Sequence, residues 1–321
     1  MSFMENQVLG YQSPLYGRRT TQYKIAPLDY YNSAEFFTGA SLQDKLLGYA
    51  VTGGIPQYLN TVSQAATIEA GIESAYFTKN GFLYEEPQNL LRQELREPAM
   101  YNANITAIAC GATRLNEIAA TVREPGSKTA KYMKNLIDLG IIEKEMSMFS
   151  ESERKGIYFI RDSMYRFWHR FVPPTTTLIE NDYEHIYENK VKPFVPDFMG
   201  RAFETICRQY LLRLNVKDGL PFLFDTIGRW WGGSPITRQE TEIDIIAASR
   251  DKLIIGECKG QNEEMGQRVY RDLRNKAAMF ADKETYYYLF SKSGFTAGLI
   301  EEATRDEWLR LVGLGDLFKL H

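Results

Sequence analysis

Four side chains in the C-terminal part of this 321-residue sequence have types and spacing suited to one chemistry: Glu204, Asp244, Glu257 and Lys259. The run Thr241-Glu242-Ile243-Asp244-Ile245-Ile246-Ala247 reads as a strand, and because strand side chains alternate, Glu242 and Asp244 share a face. The next apolar run, residues 252–259, ends in Glu257-Cys258-Lys259 and sets Glu257 and Lys259 together at its end. If the two strands pair, the carboxylates converge, and they repel unless one takes a proton or a cation sits among them. Oxygen-only ligands select a hard ion such as Mg²⁺ or Mn²⁺. Such an ion would lower the pKa of a water and stabilise charge on a phosphodiester, while Lys259 would orient or activate that water. That is the chemistry of metal-dependent nucleic-acid hydrolysis. The alternative is a salt-bridged end of a sheet, with Lys259 pairing Glu257 or Asp244.

The elements that must position these groups are legible around them. Phe203, Ile206, Cys207, Tyr210, Leu211 and Leu214 fall at helical spacing and form one apolar stripe, with Glu204 on its edge. Strands and helices then alternate to the end of the chain, so residues 198–321 are expected to form an α/β domain. Upstream, residues 83–162 predict short helices followed by a hairpin. Thr113 is the expected N-cap of one helix, and Ser127 opens another whose apolar face is Ala130, Met133, Leu136 and Ile137, stopped by Gly140. With strands at 141–146 and 156–160, this is the order of a winged helix-turn-helix. An aromatic helix, 162–171, is expected to end at Pro173-Pro174, and residues 163–197 serve as a helical connector. Residues 1–82 read as irregular and helical, interrupted by Gly53-Gly54-Ile55-Pro56. The expected class is therefore α+β and multidomain.

Composition limits the function classes. With 38 Lys+Arg against 41 Asp+Glu, the net charge of −3 excludes a protein that coats nucleic acid or anionic membrane by bulk charge, though not a local basic patch. Three Cys and three His, without paired spacing, suggest neither a disulfide framework nor a zinc site. No run is long and apolar enough to span a membrane and the opening residues lack the pattern of a secretory signal, so the expected compartment is the cytoplasm. No GxxxxGK[ST] stretch occurs either.

The helix with Glu204, then Glu242-Ile243-Asp244, then Glu257-Cys258-Lys259, resembles the PD-(D/E)xK nuclease superfamily. That resemblance implies that Asp244 and Glu257 are metal ligands and Lys259 the catalytic lysine. Together with GRWWGG at 228–233, SPLYGRRT at 13–20, GGIPQYL at 53–59 and the winged helix, the chain is similar over nearly its whole length to the C-terminal portion of an archaeal and bacterial family of AAA+/STAND-type ATPases. In that family the Gly-x-Pro element, here Gly54-Ile55-Pro56, lies against the nucleotide base, and the Arg18/Arg19 loop follows the strand that senses its phosphate. The P-loop region is absent, so Pro56 is expected to be vestigial as a nucleotide contact and this chain alone is not expected to hydrolyse ATP. Residues 1–82 become an ATPase-lid remnant, and the missing half is either lost, the chain being the product of a split or truncated gene, or supplied by a separate partner chain carrying the ATPase core.

Remaining candidates concern nucleic acid. Lys128, Lys131 and Lys134 lie on one face of the second helix of the helix-turn-helix, with Arg123 just ahead, and suit phosphate contact. A solvated helix face is the plainer reading. Arg268 and Arg271, with Arg274 and Lys276 beyond, follow the Glu257/Lys259 strand and would hold a substrate backbone, or else form ion pairs with Glu263, Glu264 and Asp272. Trp230 and Trp231 would stack on a base or pack as core. His169, His185 and the cysteines have no partner at ligand spacing.

Overall fold

The computed structural model describes residues 13, 21, 23, 25–150, 156–233 and 239–319. It is a mixed α+β structure, helical in its N-terminal part and carrying a mixed sheet in its C-terminal part. Chain order runs α1 (Tyr30–Ser33), α2 (Leu42–Thr52), α3 (Pro56–Ser63), α4 (Ile68–Tyr76), α5 (Glu86–Glu94), α6 (Pro98–Ala109), α7 (Leu115–Val122) and α8 (Gly126–Asp138). An antiparallel pair follows, β1 (Ile142–Glu145) and β2 (Ile157–Ile160), and then α9 (Ser163–Glu180) and α10 (Val195–Val216). The sheet is built from β3 (Thr226–Gly233), β4 (Glu240–Ala248), β5 (Lys252–Lys259), β6 (Glu284–Ser291) and β7 (Leu309–Gly313), with α11 (Gln267–Ala277), α12 (Ala297–Arg305) and α13 (Leu314–Leu317) between or after them.

Two compact units result. One is made mainly of Val51–Glu145 and Gly156–Val191; the other of Asp29–Ala50 and Lys192–His321. These units cut the chain differently from the boundaries read in the sequence, because Asp29–Ala50 folds with the C-terminal sheet. The physical ties are specific: Arg213 Nη1 lies 2.6 Å from Asp29 Oδ2, Gln209 Nε2 donates to the Tyr49 hydroxyl at 2.7 Å, and the buried Tyr30 hydroxyl donates to the Leu317 carbonyl at 2.6 Å.

Within the first unit the expected breaks and caps need three corrections. The helix opened by Thr113 starts one residue later: Glu117 accepts the N–H groups of both Thr113 and Arg114 at 2.9 Å, so its carboxylate, held below its ordinary pKa by those bonds, satisfies the helix end. On α8, Ile137 points outward, and Thr129, Tyr132, Met133 and Leu136 are the buried face. Pro173 and Pro174 do not end α9, which continues through them. Neither proline can donate its backbone hydrogen bond. The downstream hydroxyls of Thr175 and Thr176 bond the carbonyls of Phe171, Val172 and Pro173, and burial of Phe167, Phe171, Val172 and Ile179 holds the helix in place. The interruption after α2 occurs as expected. Gly53 and Gly54 have φ of +67° and +77°, and a side chain on Gly54 would meet the Leu28 carbonyl oxygen at 1.9 Å.

In the second unit the sheet order is β3-β4-β5-β6-β7, antiparallel from β3 to β5 and parallel from β5 to β7. The helix α11 makes the crossover from β5 to the parallel β6, the connection that a parallel neighbour requires. Tyr270, Leu273 and Ala277 of α11 and Leu299 of α12 pack with Leu253, Ile255, Ile246 and Leu289 as one apolar core. All six residues of the α10 stripe are buried, each removal from water contributing about 1.5–3 kcal/mol for the larger side chains.

Candidate functional site

Sheet register brings Asp244 and Glu257 together. Pairing of β4 with β5 runs to Ile245↔Gly256, so the next residues along the same register are Asp244 and Glu257. Immediately across β4 lies an irregularity: on β3, one residue, Arg229, separates the pairs Gly228↔Ile246 and Trp230↔Ile243, while two residues, Asp244 and Ile245, separate them on β4. A bulge of this kind re-aims a side chain and ends regular pairing. Asp244 Oδ2 then accepts the Cys258 backbone N–H at 2.8 Å.

Both carboxylates are buried, each 8% exposed. Glu257 is held from two sides: Lys259 Nζ lies 2.7 Å from Oε1, and Lys276 Nζ, from α11, lies 3.1 Å from Oε2. Asp244 is pushed up to about 7, first by burial and then by the negative charges of Glu257 and Glu204, against the pull of the Cys258 N–H and Lys259. Burial works to lower the Lys259 ammonium, but the hydrogen bond and charge of Glu257 prevail and raise it above its ordinary value. Cys207 and Cys258 are both buried, which pushes their thiols up and leaves them unreactive.

Glu204 does not join a shared ion site. Its side chain faces Arg229, with Arg229 Nε 3.6 Å from Oε2, and Arg229 also holds Glu242 at 3.0 Å. Burial still raises the Glu204 carboxyl, with Arg229 opposing. Among the described residues no three His, Cys, Asp or Glu side chains are placed to share one ion. The expectation that Glu204, Asp244 and Glu257 gather around a cation is therefore corrected: a buried guanidinium takes the first of them. Two carboxylates do fit Mg²⁺ or Mn²⁺, which keep several waters and need only one or two such ligands.

A cleft of about 580 Å³ opens at this end of the sheet, lined by Glu257, Lys259, Arg268, Asp272, Asn275 and Lys276 among others. Arg268 is therefore at the cleft, and it pairs with Asp272 at 3.7 Å; Arg271 is exposed and is not among the lining residues. Arg229 is the neighbour of these carboxylates that the sequence reading did not place, while Lys276, read there as one of the basic groups beyond the Glu257/Lys259 strand, lies against Glu257. The only signal for Lys276 was its position in a basic helix; for Arg229 it was the glycine-flanked aromatic run.

The other expectations fall as follows. Lys128 pairs with Glu124 at 3.0 Å and lies over the Tyr132 ring, while Lys131 and Lys134 are exposed on the same helix. Trp230 packs against Phe280 and the core rather than standing free. Pro56 is exposed as the first residue of α3. The Arg18/Arg19 loop lies outside the described residues. His169 is buried against Tyr165 and Trp168. Among the described residues no helix is long and apolar enough to cross a membrane.

The segment holding this site also carries a family signature. Residues 168–271 match DUF234. The description of DUF234 is archaeal and bacterial proteins of unknown function. The DUF234 match enters at α9 and ends in α11, so it includes Glu204, Arg229, Asp244, Glu257 and Lys259 but stops before Lys276. Beyond DUF234, the chain is 32% identical over 299 residues to "Uncharacterized protein MJECL04" of Methanocaldococcus jannaschii, covering 91% of this chain. The chain spans 66% of that relative's length. A crystal structure of protein VC1899 from Vibrio cholerae aligns with 78% of this chain and 58% of its own, at 16% identity and a TM-score of 0.29.

Proposed function

We propose that the C-terminal unit is a metal-dependent phosphodiesterase of the nuclease type. One observation carries this reading: Asp244 and Glu257 are buried charge neighbours one step beyond the paired register of β4 and β5, and Glu257 lines a cleft bearing Lys259, Lys276 and Arg268. Like-charged buried carboxylates are costly unless a cation or proton relieves them. Asp244 and Glu257 would hold a Mg²⁺ or Mn²⁺ ion, which when bound supplies a water of lowered pKa and charge stabilisation at phosphorus. The chain's own groups do the rest. Lys259 sets an ammonium beside Glu257 where it offsets negative charge on a phosphate. Arg268 at the cleft wall suits a contact to the substrate backbone. The helix carrying Glu204, the strand carrying Asp244 and the strand carrying Glu257 and Lys259 occur in the order on which the PD-(D/E)xK resemblance rests. Incubation with DNA and RNA panels in Mg²⁺ or Mn²⁺ tests the reading. Cleavage lost in Asp244→Ala and Glu257→Ala is expected; no cleavage, or equal cleavage by the variants, would sink it.

A second reading is a non-catalytic DNA- or partner-binding module. The observation favouring it is that both oxygens of Glu257 already carry an ammonium partner. Helices α6 to α8 with the β1-β2 pair would act as a winged helix, and the exposed Lys131 and Lys134 would meet phosphate. Metal-independent, salt-sensitive DNA binding, lost on substituting Lys128, Lys131 and Lys134, would favour this module. The AAA+/STAND part of the resemblance, with a separate P-loop chain as partner, rests on sequence motifs. Nucleotide binding measured with and without such a chain would test it.

A further inference from the structure

We infer that Lys276 is a built-in competitor for the cation at Glu257, a positioning residue that sets how readily the ion site loads. The inference rests on the reading of Asp244 and Glu257 as ion ligands. The geometry behind it is independent of any family pattern, since Lys276 comes from α11 and lies beyond the residues that carry the resemblance.

Glu257 has two carboxylate oxygens and each is engaged by a different ammonium, Lys259 at 2.7 Å and Lys276 at 3.1 Å. Lys259 is two residues along the same strand as Glu257 and lines the cleft as well. Lys276 differs in origin. It reaches Glu257 from the last turn of the crossover helix, with its side chain about one-quarter exposed, and it also lines the cleft. Its anchor is firm, because Tyr270, Leu273 and Ala277 of the same helix are packed in the sheet core. Its ammonium sits on a long stem that can turn from the carboxylate into the cleft without moving the helix.

A divalent ion that takes Oε2 of Glu257 must displace that ammonium, so ion binding is opposed by the strength of one partly buried ion pair. Lys276 thereby keeps Glu257 neutralised when no ion is present. Once displaced, it faces the cleft as a second cation for an anionic substrate. Ion binding and substrate binding are coupled in this arrangement, since each favours the same turned-out lysine.

Calorimetric titration of Mn²⁺ into the full chain and its Lys276→Met, Lys276→Arg and Glu257→Gln variants tests the inference without reference to turnover. Lys276→Met is expected to bind Mn²⁺ about fivefold more tightly than the unmodified protein, on the scale of one such ion pair. Lys276→Arg, which keeps the competing charge, is expected to bind as the unmodified protein does, and Glu257→Gln to lose binding. A helix residue with a merely structural role would not strengthen ion binding when removed. Equal or weaker Mn²⁺ binding by Lys276→Met, with binding retained in the unmodified protein, overturns the role of Lys276 alone. Absence of Mn²⁺ binding in every protein overturns the ion site itself and this inference with it.

Discussion

The carboxylate of Asp244 accepts the backbone N–H of Cys258 at 2.8 Å, so the β4 acid is tied to the peptide that joins Glu257 to Cys258. This bond orients Asp244 but does not relieve its charge, because burial and two neighbouring glutamates push the group up to about 7. Replacing Asp244 therefore has opposite effects depending on what remains. Asp244→Asn keeps an acceptor for the Cys258 N–H and removes the buried charge; it is expected to match or exceed the unmodified protein in urea unfolding at pH 8. Asp244→Ala leaves that N–H without its acceptor and is expected to cost about 1–3 kcal/mol in the same measurement.

Arg229 is the counter-ion for Glu204 on α10 and Glu242 on β4. Removing it strands a buried carboxylate. Arg229→Met is expected to destabilise the fold by about 3–5 kcal/mol, and Glu204→Gln added to it is expected to recover part of the loss. A double-mutant cycle by urea unfolding reads the coupling.

His169 sets a pH dependence that has nothing to do with the cleft. Burial lowers it from 6.5 to about 4. Between those values the unfolded chain binds a proton that the folded one refuses, so stability is full above pH 6.5 and falls as pH drops toward 4. The expected contribution is a loss of about 2 kcal/mol between pH 7 and pH 4.5. His169→Gln should flatten that part of the stability profile.

Gly54 and Gly39 separate two meanings of a positive φ. Both lie in the left-handed region, at +77° and +80°, but an added Cβ meets the Leu28 carbonyl oxygen at Gly54 and nothing within 4 Å at Gly39. Gly39→Ala is expected to cost about 1 kcal/mol, the conformational penalty alone. Gly54→Ala is expected to cost clearly more, because the backbone of Leu28, bonded through its N–H to the Gly54 carbonyl at 2.9 Å, has to move. Chemical denaturation of the two variants gives the comparison.

Periodicity and local chemistry were enough, by themselves, to determine much of this protein. The α10 stripe from Phe203 to Leu214, the glycine break after α2, the stop at Gly140 and the apolar strands carrying Asp244 and Glu257 are all written in nearest-neighbour spacing, because helix and strand repeats act over a few residues. What tertiary structure decided has the opposite character. Whether α9 survives two prolines depends on what its apolar face packs against, and whether Glu204 meets an ion or a guanidinium depends on Arg229, 25 residues further along the chain. The bulge that re-aims Asp244 exists only once β3 pairs with β4, and the lysine that occupies Glu257 arrives from the far end of a crossover helix. Electrostatic partners of buried charge are chosen by three-dimensional proximity, which no local repeat records.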